Sequence, residues 1–173
     1  MRVGPLWVGP PWEEVPGGVL AVVIEPGRAF GTGAHATTRL CLELIAGLPR
    51  GSLLDIGCGS GVLAVAAAKL GFAPVEAVDV DPLAVEATFG NASINGVDIL
   101  VSEIDALAGE LPKTDSIVAN LTLDAVHALA PWVESAHLVT SGYLGTDRPD
   151  LSGFASVLRR ELDGWAAEVW VRL

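Results

Sequence analysis

Cysteine is almost missing from this 173-residue chain: Cys41 and Cys58 are the only two, too few for a disulfide framework. Histidine is nearly as scarce, and His35, His127 and His137 show no metal-ligand spacing, so no structural metal is expected. Basic residues are also thin. Ten Lys and Arg face 21 Asp and Glu, for a formal net charge of −11, which excludes a surface that grips nucleic acid by neutralising phosphates with clustered cations. A neutral or basic partner fits this charge better. No apolar run approaches the length of a membrane span, and Gly4 and Pro5 break the first residues before they can form a signal-peptide core. These absences lead to the expectation of a reduced, cytoplasmic protein with no membrane attachment.

About half of the residues are hydrophobic, enough at this length for the expectation of one domain spanning 1–173 with a substantial core. The first twenty residues, rich in Pro, Gly and Trp, read as an irregular lead-in. Residues 1–24 then end in a β-branched strand at Val19–Ile24. A glycine-punctuated loop from Glu25 to Thr38 follows, and Leu40, Leu44, Ile45 and Leu48 recur with helical spacing.

From Leu53 on, apolar strands alternate with helical segments, the pattern of a parallel sheet joined by right-handed crossovers. Strands are predicted at Leu53–Ile56, Val75–Val80, Ile99–Ser102, Ser116–Ala119, Leu138–Ser141 and Ala166–Leu173. Helices are predicted at Val62–Leu70, Pro82–Asn95, Leu123–Trp132 and Asp147–Leu162. Asp81-Pro82 is a helix start, with Asp as N-cap and Pro at the first helical position.

Three short segments carry chemistry. In Asp55-Ile56-Gly57-Cys58-Gly59-Ser60-Gly61 a strand runs into a turn with glycine at alternate positions, so backbone can approach a ligand at the sheet's carboxyl edge. The third glycine comes one residue too early for a dinucleotide fingerprint, which favours a ligand without pyrophosphate. Asp79 lies in the last residues of the second strand, 22 residues past Gly57, where a carboxylate can accept both ribose hydroxyls. Asn120 stands at the exit of the fourth strand, directly after Ala119. Its amide can orient a nucleophile without titrating, or it can cap the helix that follows.

The order of glycine turn, ribose acid and acceptor-side Asn resembles the class I methyltransferases. The loop Ile24-Glu25-Pro26-Gly27-Arg28-Ala29-Phe30-Gly31-Thr32-Gly33-Ala34-His35-Ala36-Thr37-Thr38 resembles the signature of ribosomal-protein methyltransferases of the PrmA type, and the likeness runs from about Val19 to Tyr143. The resemblance implies a Rossmann-like α/β fold, a mostly parallel sheet with helices on both faces, and S-adenosyl-L-methionine as cofactor. It implies cofactor contacts at Phe30, Thr32, Thr37, Thr38, Asp55, Gly57, Gly59, Asp79 and Asn120. It also implies a protein substrate, namely amines of the eleventh protein of the large ribosomal subunit.

Two departures accompany it. The family has a separate N-terminal substrate-capturing domain, and this chain begins near the end of the linker that follows it. The segment after Tyr143 leaves room for one closing strand, so a shortened C-terminal hairpin or an altered sheet edge is expected.

Methyl transfer from a sulfonium needs alignment more than acid catalysis. An amine acceptor must first lose a proton, for which His35 is the loop's candidate base, while a purely loop-shaping role fits it equally. Thr37 and Thr38 suit either a cofactor carboxylate or the start of the helix. Both cysteines read as small buried residues. Five tryptophans, Trp7, Trp12, Trp132, Trp165 and Trp170, would suggest a homodimer or docking face if several met at the surface. Three readings of function result: methylation of a protein amine, methylation of a small metabolite, or a catalytically silent cofactor-binding module that acts through a partner.

Overall fold

The computed structural model describes residues 1–26, 35–108 and 111–173. Among these residues, ten strands and four α-helices follow in chain order. They are β1 (Arg2–Val3), β2 (Leu6–Gly9), β3 (Leu20–Val23), α1 (Ala36–Ala46), β4 (Leu53–Ile56), α2 (Val62–Lys69), β5 (Val75–Asp79), α3 (Pro82–Asn95), β6 (Leu100–Glu103), β7 (Ser116–Asn120), α4 (Leu123–Leu129), β8 (His137–Leu144), β9 (Phe154–Leu162) and β10 (Trp165–Arg172). A 3₁₀ turn at Ala130–Trp132 extends α4.

Seven strands form the main sheet in the order β6-β5-β4-β7-β8-β10-β9. The five from β6 to β8 are parallel, and β10 pairs antiparallel with both β8 and β9. β4 is apolar on both faces except at Asp55, and all four of its residues are buried, as a central parallel strand under helices on both sides should be. One core gathers α1 and α2 residues such as Leu40, Ile45, Leu63 and Val65 against Leu53, Val118 and Val139. The other sets Val126 and Leu129 of α4 against Ile117, Leu138 and Trp170. Helices therefore cover both faces, as expected.

Three expectations need correction. The segment predicted as a helix over Asp147–Leu162 instead holds an irregular stretch and the nine-residue strand β9. Leu151, Ala155, Leu158 and Leu162 mimic a helical apolar spacing, but the strand is an edge whose residues are mostly exposed, so burial imposes no alternating pattern on it. The C-terminal hairpin is consequently full rather than shortened, with β9 and β10 joined through Asp163 and Gly164. The first twenty residues are not irregular: β1 and β2 pair antiparallel, and β2 pairs in parallel with β3. Val3, Leu6, Val8 and Val22 of this small sheet, with Ile24 just after β3, share the apolar core of α1 and α2.

The tryptophans do not form a surface cluster. Trp7 and Trp170 are buried, Trp165 is partly buried, and the two exposed indoles sit on separate elements, Trp12 between β2 and β3 and Trp132 after α4.

Candidate active site

The sheet order reverses between β4 and β7, and the carboxyl ends of parallel strands beside such a switch point form a natural ligand crevice. The glycine turn lies there, between β4 and α2. Gly57 N and Cys58 N both donate to Val78 O, at 2.8 and 3.1 Å, tying the turn to β5. Gly57, Gly59 and Gly61 have φ of 71°, 55° and 78°. At Gly57 a Cβ would lie 2.5 Å from Leu121 Cδ2, so glycine serves both the left-handed backbone and the approach of the next loop.

Asp79 closes β5 with both carboxylate oxygens engaged: Oδ2 accepts from Gly59 N and Oδ1 from Asp81 N, each at 3.0 Å. A carboxylate oxygen has more than one acceptor direction, so these bonds aim the group without exhausting it. Asp81 in turn caps α3, accepting from Leu83 N at 2.9 Å.

Asp55 is buried at 1 % exposure, and its Oδ2 accepts from Ala64 N at 3.0 Å. Burial pushes its carboxyl up to about 7; the Ala64 bond opposes this and the charge of Asp79 adds to it. Both cysteines lie in the same interior. Burial, reinforced by Asp55, pushes the Cys58 thiol up to about 12 and raises Cys41 as well, so both remain inert thiols.

On the acceptor side, Asn120 ends β7, half-buried and paired in register with Ser141 of β8. It does not cap α4. Thr122 does, its hydroxyl accepting from Ala125 N at 3.4 Å. Leu121 N donates to Ser141 O at 3.0 Å, and Gly142, at φ 100°, lies directly against the Leu121 backbone.

His35 is the N-cap of α1. Its Nδ1 accepts from Thr37 N at 3.3 Å and lies 2.8 Å from Thr37 Oγ1. These contacts tie the ring's Nδ1 edge to the first turn of α1. The imidazole also meets the Trp165 indole edge to face, with ring centroids 4.9 Å apart. Thr37 and Thr38 are buried in the first turn of α1, at 5 % and 3 % exposure. Phe30 and Thr32 lie outside the described residues.

Sequence reasoning passed over a further group. Thr88 and Asn91 on α3 face inward at 0 % and 3 % exposure, where Thr88 Oγ1 donates to Gly59 O at 3.1 Å and Asn91 Nδ2 to Ser60 O at 2.9 Å. The only signal was a polar residue recurring at helical spacing where an apolar one was due.

A parallel five-strand run extended by an antiparallel hairpin whose last strand inserts, with a glycine turn at the switch point and an acid closing the next strand, defines the class I methyltransferase fold. Solved structures agree: a Pyrococcus abyssi tRNA (uracil-54, C5)-methyltransferase in complex with S-adenosyl-L-homocysteine matches in fold with a TM-score of 0.69 at 18 % identity, over 86 % of this chain and 41 % of that one. The chain belongs to the ribosomal protein L11 methyltransferase (PrmA) family, whose model matches residues 1–171.

A solved ribosomal protein L11 methylase from Lactobacillus delbrueckii subsp. bulgaricus superposes with a TM-score of 0.82 at 30 % identity, covering 94 % of this chain and 90 % of that one. A ribosomal protein L11 methyltransferase of Thiobacillus denitrificans is 45 % identical over 156 residues, 84 % of this chain and 51 % of the relative. The chain spans about half the length of such curated relatives.

Proposed function

We propose that residues 1–173 act as one unit that binds S-adenosyl-L-methionine and transfers its methyl group to an amine of a protein, with ribosomal protein L11 as the acceptor. The family match across residues 1–171 carries this reading. The cradle fits the group. Three left-handed glycines leave positions 57, 59 and 61 of the turn without Cβ atoms, a carboxylate braced by two backbone amides stands at the end of β5, and no dinucleotide spacing is present. The cofactor supplies a methyl group on an already activated sulfonium.

The chain's own residues then bind and orient. Asp79 receives the ribose hydroxyls, the turn from Gly57 to Gly59 lies along the cofactor, and Thr37 and Thr38 hold its carboxylate at the amino end of α1, where the helix dipole favours a negative group. Asn120 orients the acceptor amine through its carbonyl oxygen. His35 is assigned to shaping the α1 end of the site, because its Nδ1 is occupied by the cap; the acceptor's proton then leaves to solvent. Phe30 and Thr32 keep the cofactor contacts that the family resemblance implies.

Methyl-labelled S-adenosylmethionine incubated with the purified chain and L11 tests this reading, and label should appear in the L11 band. Label in a small molecule from cell extract would instead favour a metabolite acceptor. Cofactor binding with no transfer at all would favour a silent module.

Two substitutions test the residue roles. Asp79→Ala should weaken binding of S-adenosylhomocysteine by about 2 kcal/mol, the scale of a lost charge-assisted hydrogen bond, as read by calorimetry; unchanged affinity would remove the ribose assignment. Asn120→Ala should lower kcat about a hundredfold, the cost of misplacing a reacting group, while cofactor affinity stays within a few fold. A fall in affinity equal to the fall in kcat would move Asn120 to the cofactor alone.

A further inference from the structure

The inward face of α3 carries a polar stripe beside Ala84 and Ala92, where a helix packed on a sheet should be apolar. Thr88, Asn91 and Asn95 lie there at 0, 3 and 8 % exposure, at spacings of three and four residues that place them on one stripe. Burying an amide is unfavourable unless its hydrogen bonds are replaced, and here they are. Asn91 Nδ2 donates to Ser60 O and Asn91 Oδ1 accepts from Glu25 N, both at 2.9 Å. Asn95 pairs with β3 as a neighbouring strand would, accepting from Val23 N at 2.9 Å and donating to Val23 O at 2.6 Å. Its Nδ2 also lies 2.8 Å from Asn91 O, which links the two amides. Ser60 and Glu25 are remote in sequence, yet one side chain spans them: the first belongs to the glycine turn and the second opens the stretch that runs to Thr38.

We propose that Asn91 is a positioning residue that sets the glycine turn and the chain leaving β3 in a fixed relation, so that both sides of the cofactor site are placed by one buried amide. Its two functional ends act separately. The NH₂ holds the turn and the carbonyl oxygen holds Glu25. This role rests on the cofactor reading above only for its purpose, since the coupling itself is visible without any ligand.

Amide hydrogen exchange read by mass spectrometry on the whole chain separates the two. In Asn91→Ala, peptides covering 20–26 and 57–64 should both exchange at least tenfold faster than in wild type, and S-adenosylhomocysteine should bind at least tenfold more weakly. In Asn91→Asp the remaining oxygen still accepts from Glu25 N while the donor to Ser60 O is gone. Only the 57–64 peptide should then lose protection. Ala92→Gly serves as control, because it weakens the same helix without touching either bond, and it should leave both peptides protected relative to its own change in stability.

If Asn91→Ala leaves the 57–64 peptide as protected as the control does, or if Asn91→Asp exposes both peptides equally, the positioning role is overturned. If wild type binds no S-adenosylhomocysteine, the cofactor reading fails by itself, and the exchange pattern still decides whether Asn91 couples the two segments.

Discussion

Gly142→Ala is expected to destabilise the fold by about 3 kcal/mol and, in whatever fraction remains folded, to cut methyl transfer about a hundredfold. The stability figure joins the cost of a left-handed conformation for a residue bearing Cβ with that of overpacking a close contact, and the rate figure is that of displacing a reacting group by about 1 Å. Gly142 sits at φ 100°, and a Cβ there would lie 2.0 Å from Leu121 O and 2.6 Å from Leu121 C.

These are backbone atoms, so no rotamer change can yield. The strands cannot simply part either, because Leu121 N donates to Ser141 O beside the clash. The carboxyl end of β7 must move, and it carries Asn120. Leu121 also covers Gly57, so the disturbance reaches the glycine turn. Urea unfolding and single-turnover methylation check the two parts. A variant within about 0.5 kcal/mol of wild type, the range of an inconsequential surface change, would show that the β7–β8 approach is soft.

Asp55→Asn should make the protein more stable at pH 8 and less different from wild type at pH 4. The Asp55 carboxyl is raised from 3.8 to about 7 by burial, with Asp79 contributing. A raised carboxyl binds its proton more tightly in the folded state than in the unfolded chain. Its contribution is therefore fully present below about pH 4 and is lost as pH rises through 7. At about 1.4 kcal/mol per pH unit the loss is on the order of 4 kcal/mol above pH 8. Asparagine presents the Ala64 amide with a similar acceptor and does not titrate. The stability gap between variant and wild type, measured by denaturation across pH 4 to 9, should widen through this window and then level off. A gap that stays flat with pH would mean Asp55 is ionised throughout.

Much of the fold was legible because its signals are local. The parallel strands are short β-branched runs between turn residues, and α3 is bounded by Asp81-Pro82 and Gly96, a cap and a left-handed stop. The glycine turn, Asp79 and Asn120 could be placed at strand ends from spacing alone, which is why the switch-point crevice was foreseen. What escaped were features decided by partners distant in sequence. β9 is held by Arg159, whose guanidinium pairs with buried Glu168 across the hairpin at 2.6 Å, and nothing within β9 announces that. β1 and β2 form in a Pro- and Gly-rich stretch because α1 and α2 offer them an apolar surface. Nothing within α3 singles out Asn91 and Asn95, because their partners on β3 and the glycine turn lie far away in the chain. His35 could be read as a base or as a loop-shaping residue from its neighbours, and its place as the N-cap of α1 depends on the Thr37 N–H directed at its Nδ1.

The place of β10 between β8 and β9 bears on how the sheet assembles as the chain is made. β9 emerges first but has no partner in the sheet until β10 follows it, because β10 supplies the pairing to both sides. Until then the hydrogen-bonding edge of β8 stays open beside a finished parallel core, and an open edge invites pairing with other chains. The tight Asp163-Gly164 connection, with both residues at positive φ, makes the hairpin a local structure: once Trp165 is available, β9 and β10 can pair with each other and close that edge together.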